Sequence, residues 1–299
     1  MKFDELQAFV AAEDLGSLSA AAERLHLTQP AVSKRIQALE KSLDVQLFDR
    51  LGQRLRLTEA GEVLLPKARE LLAAREDATR ALDDLAAGVA GRLRLATSHH
   101  IGLHRLAPVL KAFVRAYPDV SLGIRFEDSE AAHDLVAGHA CDLAVVTLAP
   151  TSTKPGQQHP ASPLQMNPVW RDPLVFVAAE EHPLASERQV SLAQLAEHPA
   201  VLPGLATYTG RIVADLFGRQ QLTLRQSMST NYLETIGMLV ATGLGWSVLP
   251  ETLLGEGLVR LNVASPPLER TLGTVRLSDR TVSRASAAFL SVLDDFAEP

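Results

Sequence analysis

Gln29, Pro30, Ser33 and Lys34 lie in the stretch LTQPAVSKRIQALE, residues 27–40. At helical spacing Gln29 and Ser33 fall one turn apart and share a face with Pro30 and Lys34. These side chains suit the edges of DNA bases. Glutamine can pair two hydrogen bonds with adenine, lysine reaches guanine acceptors or phosphate, and an apolar proline can touch a thymine methyl. Ser17, Thr28 and Arg35 are better suited to phosphates.

A second set of reactive types lies in ATSHHIG, residues 96–102. There Thr97, Ser98, His99 and His100 stand where a strand hands over to a helix, so free N–H groups and the helix dipole favour an anion. Other strand ends carry Glu127-Asp128-Ser129, Thr147 and Ser229-Thr230-Asn231, with Leu202 and Pro203 as an apolar wall. In open α/β sheets ligands bind at such ends. The hydroxyls and amides suit a small polar or carboxylate-bearing effector, whereas Glu127 and Asp128 would favour an amino group. His100 and His104 have metal-ligand spacing, with His99 adjacent. With no cysteine or carboxylate placed locally to complete a site, no metal or other cofactor is expected. A pH-sensitive effector contact is the better reading of these histidines.

Composition narrows the function. The chain has 299 residues, 46% hydrophobic and 21% charged, with a formal net charge of −6. That length suggests two or three domains. Cys141 is the only cysteine, which excludes an intramolecular disulfide and suits a reducing compartment. The acidic start MKFDELQAFVAAEDL does not resemble a secretory signal. With no run of about eighteen apolar residues, no membrane span is expected, and the expected location is the cytoplasm. An enzyme is disfavoured: there is no phosphate loop, no GxGxxG after a strand and no GxSxG, and GLG at 243–245 is too short to count. A solute-binding transport protein fits poorly with an N-terminal helical domain and no signal.

The elements that must position these residues follow from periodicity. Phe3, Leu6, Phe9 and Val10 predict a first helix, broken at Gly16. Ser17 caps an alanine-rich second helix, HLT is a tight turn, and Thr28 caps a third helix with Pro30 in its first turn. Val32, Ile36 and Leu39 are its buried stripe. Two short strands around Gly52 form a basic hairpin, with Leu47, Phe48, Leu55 and Leu57 closing the core. This is a helix-turn-helix pattern, in which the start of the second helix of the motif enters the major groove. Residues 1–57 carry eight basic side chains (Lys2, Arg24, Lys34, Arg35, Lys41, Arg50, Arg54, Arg56) and eight acidic ones (Asp4, Glu5, Glu13, Asp14, Glu23, Glu40, Asp44, Asp49). Support for DNA binding therefore rests on placement: half the acids lie on the first helix, and the third opens with bases only.

From Thr58 to about Ala87 a long helix carries Leu64, Ala68, Leu71, Arg75, Ala78, Leu82 and Leu85 at spacings of four and three, a self-association seam. Pro66 should kink or loosen it. Beyond Arg92, strands and helices alternate, which predicts mostly parallel sheets with helices on both faces. Crossovers at TSTKPGQQHPASP, residues 151–163, and near Ala264–Pro267 predict two lobes with a cleft between them.

The run FVAAEDLGSLSAAAERLHLTQPAVSKRIQALEKSLDVQLFDR followed by RLRLTEAG resembles the LysR-type transcriptional regulators. EEHPLA near His182 and MLVATGLGWSVLP at 238–250 extend the likeness more loosely. The resemblance implies a winged helix-turn-helix (1–57), a dimerising linker helix (58–90) and a two-lobed α/β effector domain like periplasmic binding proteins. The lobes would be 91–163 with 268–299, and 164–267. It places Gln29, Pro30, Ser33 and Lys34 in the base-reading helix and Arg50 and Arg54 in the wing. Asp44 stands where the family commonly has Gly, and Asp tolerates the left-handed backbone needed there. The implied function is sequence-specific regulation at double-stranded promoter DNA, as a homodimer and a tetramer on DNA. Effector in the cleft would close or twist the lobes, changing DNA bending and RNA polymerase contact.

Overall fold

The computed structural model describes residues 1–51, 54–83, 88–149 and 163–298, without the side chains of residues 50, 51, 54, 80, 81 and 83. Leu85 and all but the last residue of the 151–163 connector lie outside the described residues. The chain divides into two compact units, one built on Met1–Gly88 and one on the chain from Val89 onward. Among the described residues no helix is long and apolar enough to cross a membrane.

The first unit begins with α1 (Phe3–Leu15), α2 (Leu18–Arg24) and α3 (Gln29–Leu43). Gly16 ends α1 in the left-handed conformation, and Ser17 Oγ accepts from the Ala20 N–H to start α2. Thr28 holds the N-cap position of α3, but its hydroxyl makes no capping bond, so it is spare for another partner. Asp44 ends α3 at φ 55°, as the turn requires. Phe9, Leu6, Ala21, Val32, Ile36, Leu39 and Leu47 form the core. The antiparallel hairpin β1 (Phe48–Leu51) and β2 (Arg54–Leu57) follows. Its start is held by Glu40, whose buried carboxylate accepts from the N–H groups of Leu47 at 2.9 Å and Phe48 at 3.4 Å.

Helix α4 (Glu59–Asp83) is a single helix through Pro66. Thr58 caps it, accepting from the Gly61 N–H and donating to the Gln46 carbonyl. Gly61 allows the close approach, since a Cβ there would lie 2.3 Å from the Leu47 carbonyl oxygen. The seam expected along α4 is split. Leu64, Ala68 and Leu72 pack on the helix-turn-helix core, and Arg75 lies over the Phe3 ring. Packing across Pro66 accounts for the intact helix: burial on both sides offsets the missing hydrogen bond. The outward face instead carries Leu71, Ala74, Ala78 and Leu82, the last 69% exposed.

The second unit holds a seven-stranded sheet in the order β10-β6-β11-β5-β3-β4, with β9 added on β6. In chain order come β3 (Gly91–Thr97), α5 (His99–Ile101), a π-type turn (Gly102–Leu106), α6 (Ala107–Ala116), β4 (Val120–Phe126), α7 (Ser129–Ala137) and β5 (Leu143–Thr147). Pro108 near the start of α6 has no N–H to donate back, which suits the widened turn before it. Then follow β6 (Leu164–Ala179), α8 (Leu192–Glu197), β7 (Ala200–Leu202), α9 (Tyr208–Arg219), β8 (Gln226–Ser229), α10 (Leu233–Ala241), β9 (Ser247–Pro250), β10 (Leu258–Arg260), β11 (Leu268–Leu277) and α11 (Arg284–Asp294). Among the described strands, β3–β4, β3–β5 and β7–β8 pair in parallel, whereas β6 and β11 run antiparallel to each of their neighbours. The sheet is mixed rather than mostly parallel because each return between lobes is itself a strand.

Those returns also move the lobe boundaries from 163/164 and 267/268. Val169, Trp170 and Leu272 belong to the core around Phe113 and Phe289, whereas Leu174, Phe176 and Leu268 belong to the core around Trp246 and Phe217. The lobes therefore exchange inside β6 and β11. The stretch before Leu174 contains Pro168 and Pro173, which disguise it as connector. A bulge at Leu272/Gly273 sits at the exchange, and a Cβ at Gly273 would meet the Asn167 carbonyl oxygen at 2.3 Å. Cys141 is buried, and burial pushes its thiol up to about 11.

Candidate nucleic-acid interface and effector cavity

On the first unit, Thr28, Gln29, Pro30 and Lys34 are exposed at the start of α3, with Ser33 and Ser17 half-buried beside them. The buried stripe Val32-Ile36-Leu39 turns this face outward. The charge balance resolves into pairs. Asp14 is bound by Arg24 at 3.0 Å and Arg69 at 2.7 Å, Glu13 by Arg69 at 2.9 Å, and Glu40 is spent on the hairpin backbone. Arg35 approaches Asp4 at 3.6 Å, a loose pair that DNA phosphate could compete for. Asp14 and Glu13 are thus neutralised by Arg24 and Arg69, and Lys34 makes no ion pair among the described residues. Arg50 and Arg54 fall on the hairpin strands, Arg50 opposite Leu55 and Arg54 opposite Leu51.

On the second unit a cavity of about 180 Å³ opens between the lobes. It lies at the C-terminal ends of β3, β4 and β5 and the N-terminal ends of α9 and α10. Ser98, His99, His100, Glu127, Thr147 and Asn231 line it. Thr97, Leu202 and Thr230 do not. The Thr97 hydroxyl donates to the Val145 carbonyl at 2.8 Å, Leu202 is core, and Thr230 Oγ1 accepts from the Tyr232 N–H. Phe126, Glu130, Tyr208, Thr209, Tyr232 and Arg270 also line it, as do Thr207 and Leu233, without having been singled out from sequence. A partial signal existed for α9, where Thr207 caps the helix through the Gly210 N–H. Arg270, mid-strand on β11, offered none.

Three polar links cross between lobes here. Asn231 donates to Asp128 at 2.6 Å and accepts from the Gly204 N–H at 3.1 Å. Glu130 accepts from the Tyr208 N–H in the first turn of α9. Glu234 Oε1 lies 3.1 Å from both His100 Nδ1 and His104 Nε2. A carboxylate therefore does complete the histidine group, supplied by the opposite lobe. His99 sits between the rings of Phe126 and Tyr232, at 5.4 and 5.2 Å. Arg270 is buried, with Nε on Asp172 at 2.7 Å and Nη1 on Thr209 at 3.1 Å, while Nη2 has no hydrogen-bond partner among the described residues. Burial, then the Arg270 charge, pulls His100 down to about 4, so its imidazole is neutral. Burial alone would raise the Glu234 carboxyl. Its own backbone N–H and the bond with His100 outweigh that and hold it below the usual range.

A helix-turn-helix with a hairpin wing, a long helix and a two-lobed cavity define a DNA-binding regulator with an effector domain. Two family models match the chain: bacterial regulatory helix-turn-helix protein, lysR family, over residues 3–62, and LysR substrate binding domain over residues 86–298. The protein belongs to the LysR-type transcriptional regulators and is not an enzyme. It is 63% identical over 108 residues to an uncharacterized HTH-type transcriptional regulator in the ibpB-leuC intergenic region of Azotobacter vinelandii, covering 36% of this chain and 75% of that relative. It is 28% identical over 294 residues to the HTH-type transcriptional activator CmpR of Synechocystis sp., covering 97% of this chain and 93% of CmpR. Two solved structures share the fold. A full-length OxyR variant from Pseudomonas aeruginosa has TM-score 0.72 and 21% identity, covering 99% of this chain and 94% of that one. The Synechocystis PCC6803 CcmR regulatory domain in complex with 2-PG has TM-score 0.60 and 24% identity, covering 70% and 98%.

Proposed function

We propose that two copies of α3 read a promoter site through Gln29, Pro30, Ser33 and Lys34, with Ser17, Thr28, Arg35, Arg50 and Arg54 on phosphates. The copies associate through the outward stripe Leu71-Ala74-Ala78-Leu82 of α4, and dimers pair on DNA. The effector is a small polar molecule carrying both an amino and a carboxylate group, and no organic cofactor is needed. One observation carries the effector reading. Asp128 and Glu130 face the cavity with only neutral hydrogen-bond partners among the described residues, and buried Arg270 lines the same cavity. Two carboxylates without a countercharge favour an ammonium group, and Arg270 suits a carboxylate. The 2-PG complex of the CcmR domain supports occupation of this domain by a small molecule. A ligand held this way sits in a cavity lined by both lobes, so it biases their closure and hence DNA spacing, bending and polymerase contact.

Thermal-shift measurements on matched ligands test this. A free amino acid should raise the melting temperature, with about 2.7 kcal/mol of stabilisation at a hundredfold excess over Kd. Its N-acetyl and decarboxylated forms should do so far less. Equal stabilisation by the N-acetyl forms across an amino-acid panel would refute the ammonium assignment.

A further inference from the structure

We propose that His100, His104 and Glu234 form a binding site for a divalent transition-metal ion, zinc by its donor set, which ties the two lobes together beside the effector cavity. The three donor atoms, His100 Nδ1, His104 Nε2 and a Glu234 carboxylate oxygen, all lie within 4.8 Å of one another. Both nitrogens are 3.1 Å from Glu234 Oε1. Zinc holds nitrogen and oxygen at about 2.0–2.2 Å, so the edge of its tetrahedron is about 3.4 Å, within a few tenths of the two nitrogen–oxygen spacings, while the two nitrogens lie within 4.8 Å of each other. The π-type turn sets the two imidazoles with ring centroids 4.6 Å apart, and Glu234 arrives in the first turn of α10 from the other lobe.

The charge also fits. When ligated, the Glu234 carboxylate supplies one anionic oxygen and the two imidazoles supply neutral ring nitrogens, a mixed donor set suited to a divalent ion. The nearby Arg270 cation is balanced by Asp172 at 2.7 Å. Two imidazoles and one carboxylate suit zinc, cobalt or nickel over magnesium or calcium, which take oxygen ligands. Three protein donors leave a fourth position for water. Ligation through Nδ1 leaves the His100 ring proton on Nε2, which has no partner among the described residues, so the affinity should be weaker than that of a closed structural site. Because the donors come from both lobes, the ion holds the cleft closed at one end. This inference does not depend on the effector reading, since it concerns the ion alone.

The test uses untagged, chelator-stripped full-length protein titrated with zinc chloride by calorimetry, followed by X-ray absorption of the zinc-loaded sample. One ion per chain with two imidazoles in its shell is expected. His104→Ala and Glu234→Ala each should weaken binding about tenfold or more, while His198→Ala, in the separate His182–His198 pair, should not. Both test side chains are about a third exposed, at 35% and 32%, so truncation leaves no core cavity. Absence of binding, a zinc shell without imidazole, or unchanged affinity in both variants would overturn the proposal.

Discussion

Glu40 shows how a single side chain changes meaning on folding. In the sequence it is the first acid after the base-reading face. In the structure it is buried and binds the N–H groups of Leu47 and Phe48 where the hairpin begins, so it orders the hairpin and presents no exposed charge beside the opening of α3. Gln29 and Arg54 differ in the same way by location. Gln29 is exposed at the start of α3, where the proposed bidentate contact to a base would discriminate sequence. Gln29→Ala should therefore cost about 1–3 kcal/mol on the preferred site and nothing on random DNA. Arg54→Ala should weaken both evenly and reduce the salt slope by about one. Fluorescence anisotropy across a salt series separates the two patterns. Equal losses on specific and random DNA for Gln29→Ala would count against base reading.

At the scale of an element, α4 is the instructive case. Spacings of four and three fit more than one face of a long helix, so the pattern alone does not say which face a partner covers. The helix-turn-helix core takes Leu64, Ala68 and Leu72, and Arg75 lies over Phe3, which leaves Leu71, Ala74, Ala78 and Leu82 outward. An apolar stripe on a solvent-facing helix favours self-association. The double substitution Leu71→Glu with Leu82→Glu should convert the proposed dimer to monomer in sedimentation experiments while leaving the melting of the first unit little changed. An unchanged mass would place the subunit contact elsewhere. Local signals did identify the starts and stops of α1, α2 and α3. The π-type turn after α5 was not legible, because its i→i+5 bonding has no residue pattern of its own.

For the whole molecule, buried histidines couple stability to pH. The folded His100 pKa of about 4 lies below the ordinary 6.5, so the unfolded chain binds a proton that the folded chain refuses. Its contribution is complete above pH 6.5 and is lost as pH falls from 6.5 to 4, about 3 kcal/mol in all. His133, lowered chiefly by burial, acts in the same direction. Glu234, held below the usual carboxylate range, adds a loss only at lower pH. Thermal melts between pH 7 and 4 should show falling stability, and His100→Gln should flatten that slope without abolishing it, since His133 remains. A slope identical in the variant would show that His100 does not carry it.

The sequence by itself determined α3, the positions of Thr28 and Asp44 at its two ends, its buried stripe Val32-Ile36-Leu39 and the order of the domains. Those features depend on residues within one or two turns of each other, where spacing and capping act directly. It also brought Ser98, His99, His100, Glu127, Thr147 and Asn231 into view, because strand ends can be read locally. Only the tertiary structure decided which side chains meet in the cavity. Arg270 reaches it from β11, Glu130 caps a helix in the other lobe, and Glu234 joins His104 across 130 residues. The lobes exchange within β6 and β11 for the same reason: strand pairing over 98 residues, as between Asp172 and Arg270, leaves no mark in the local pattern.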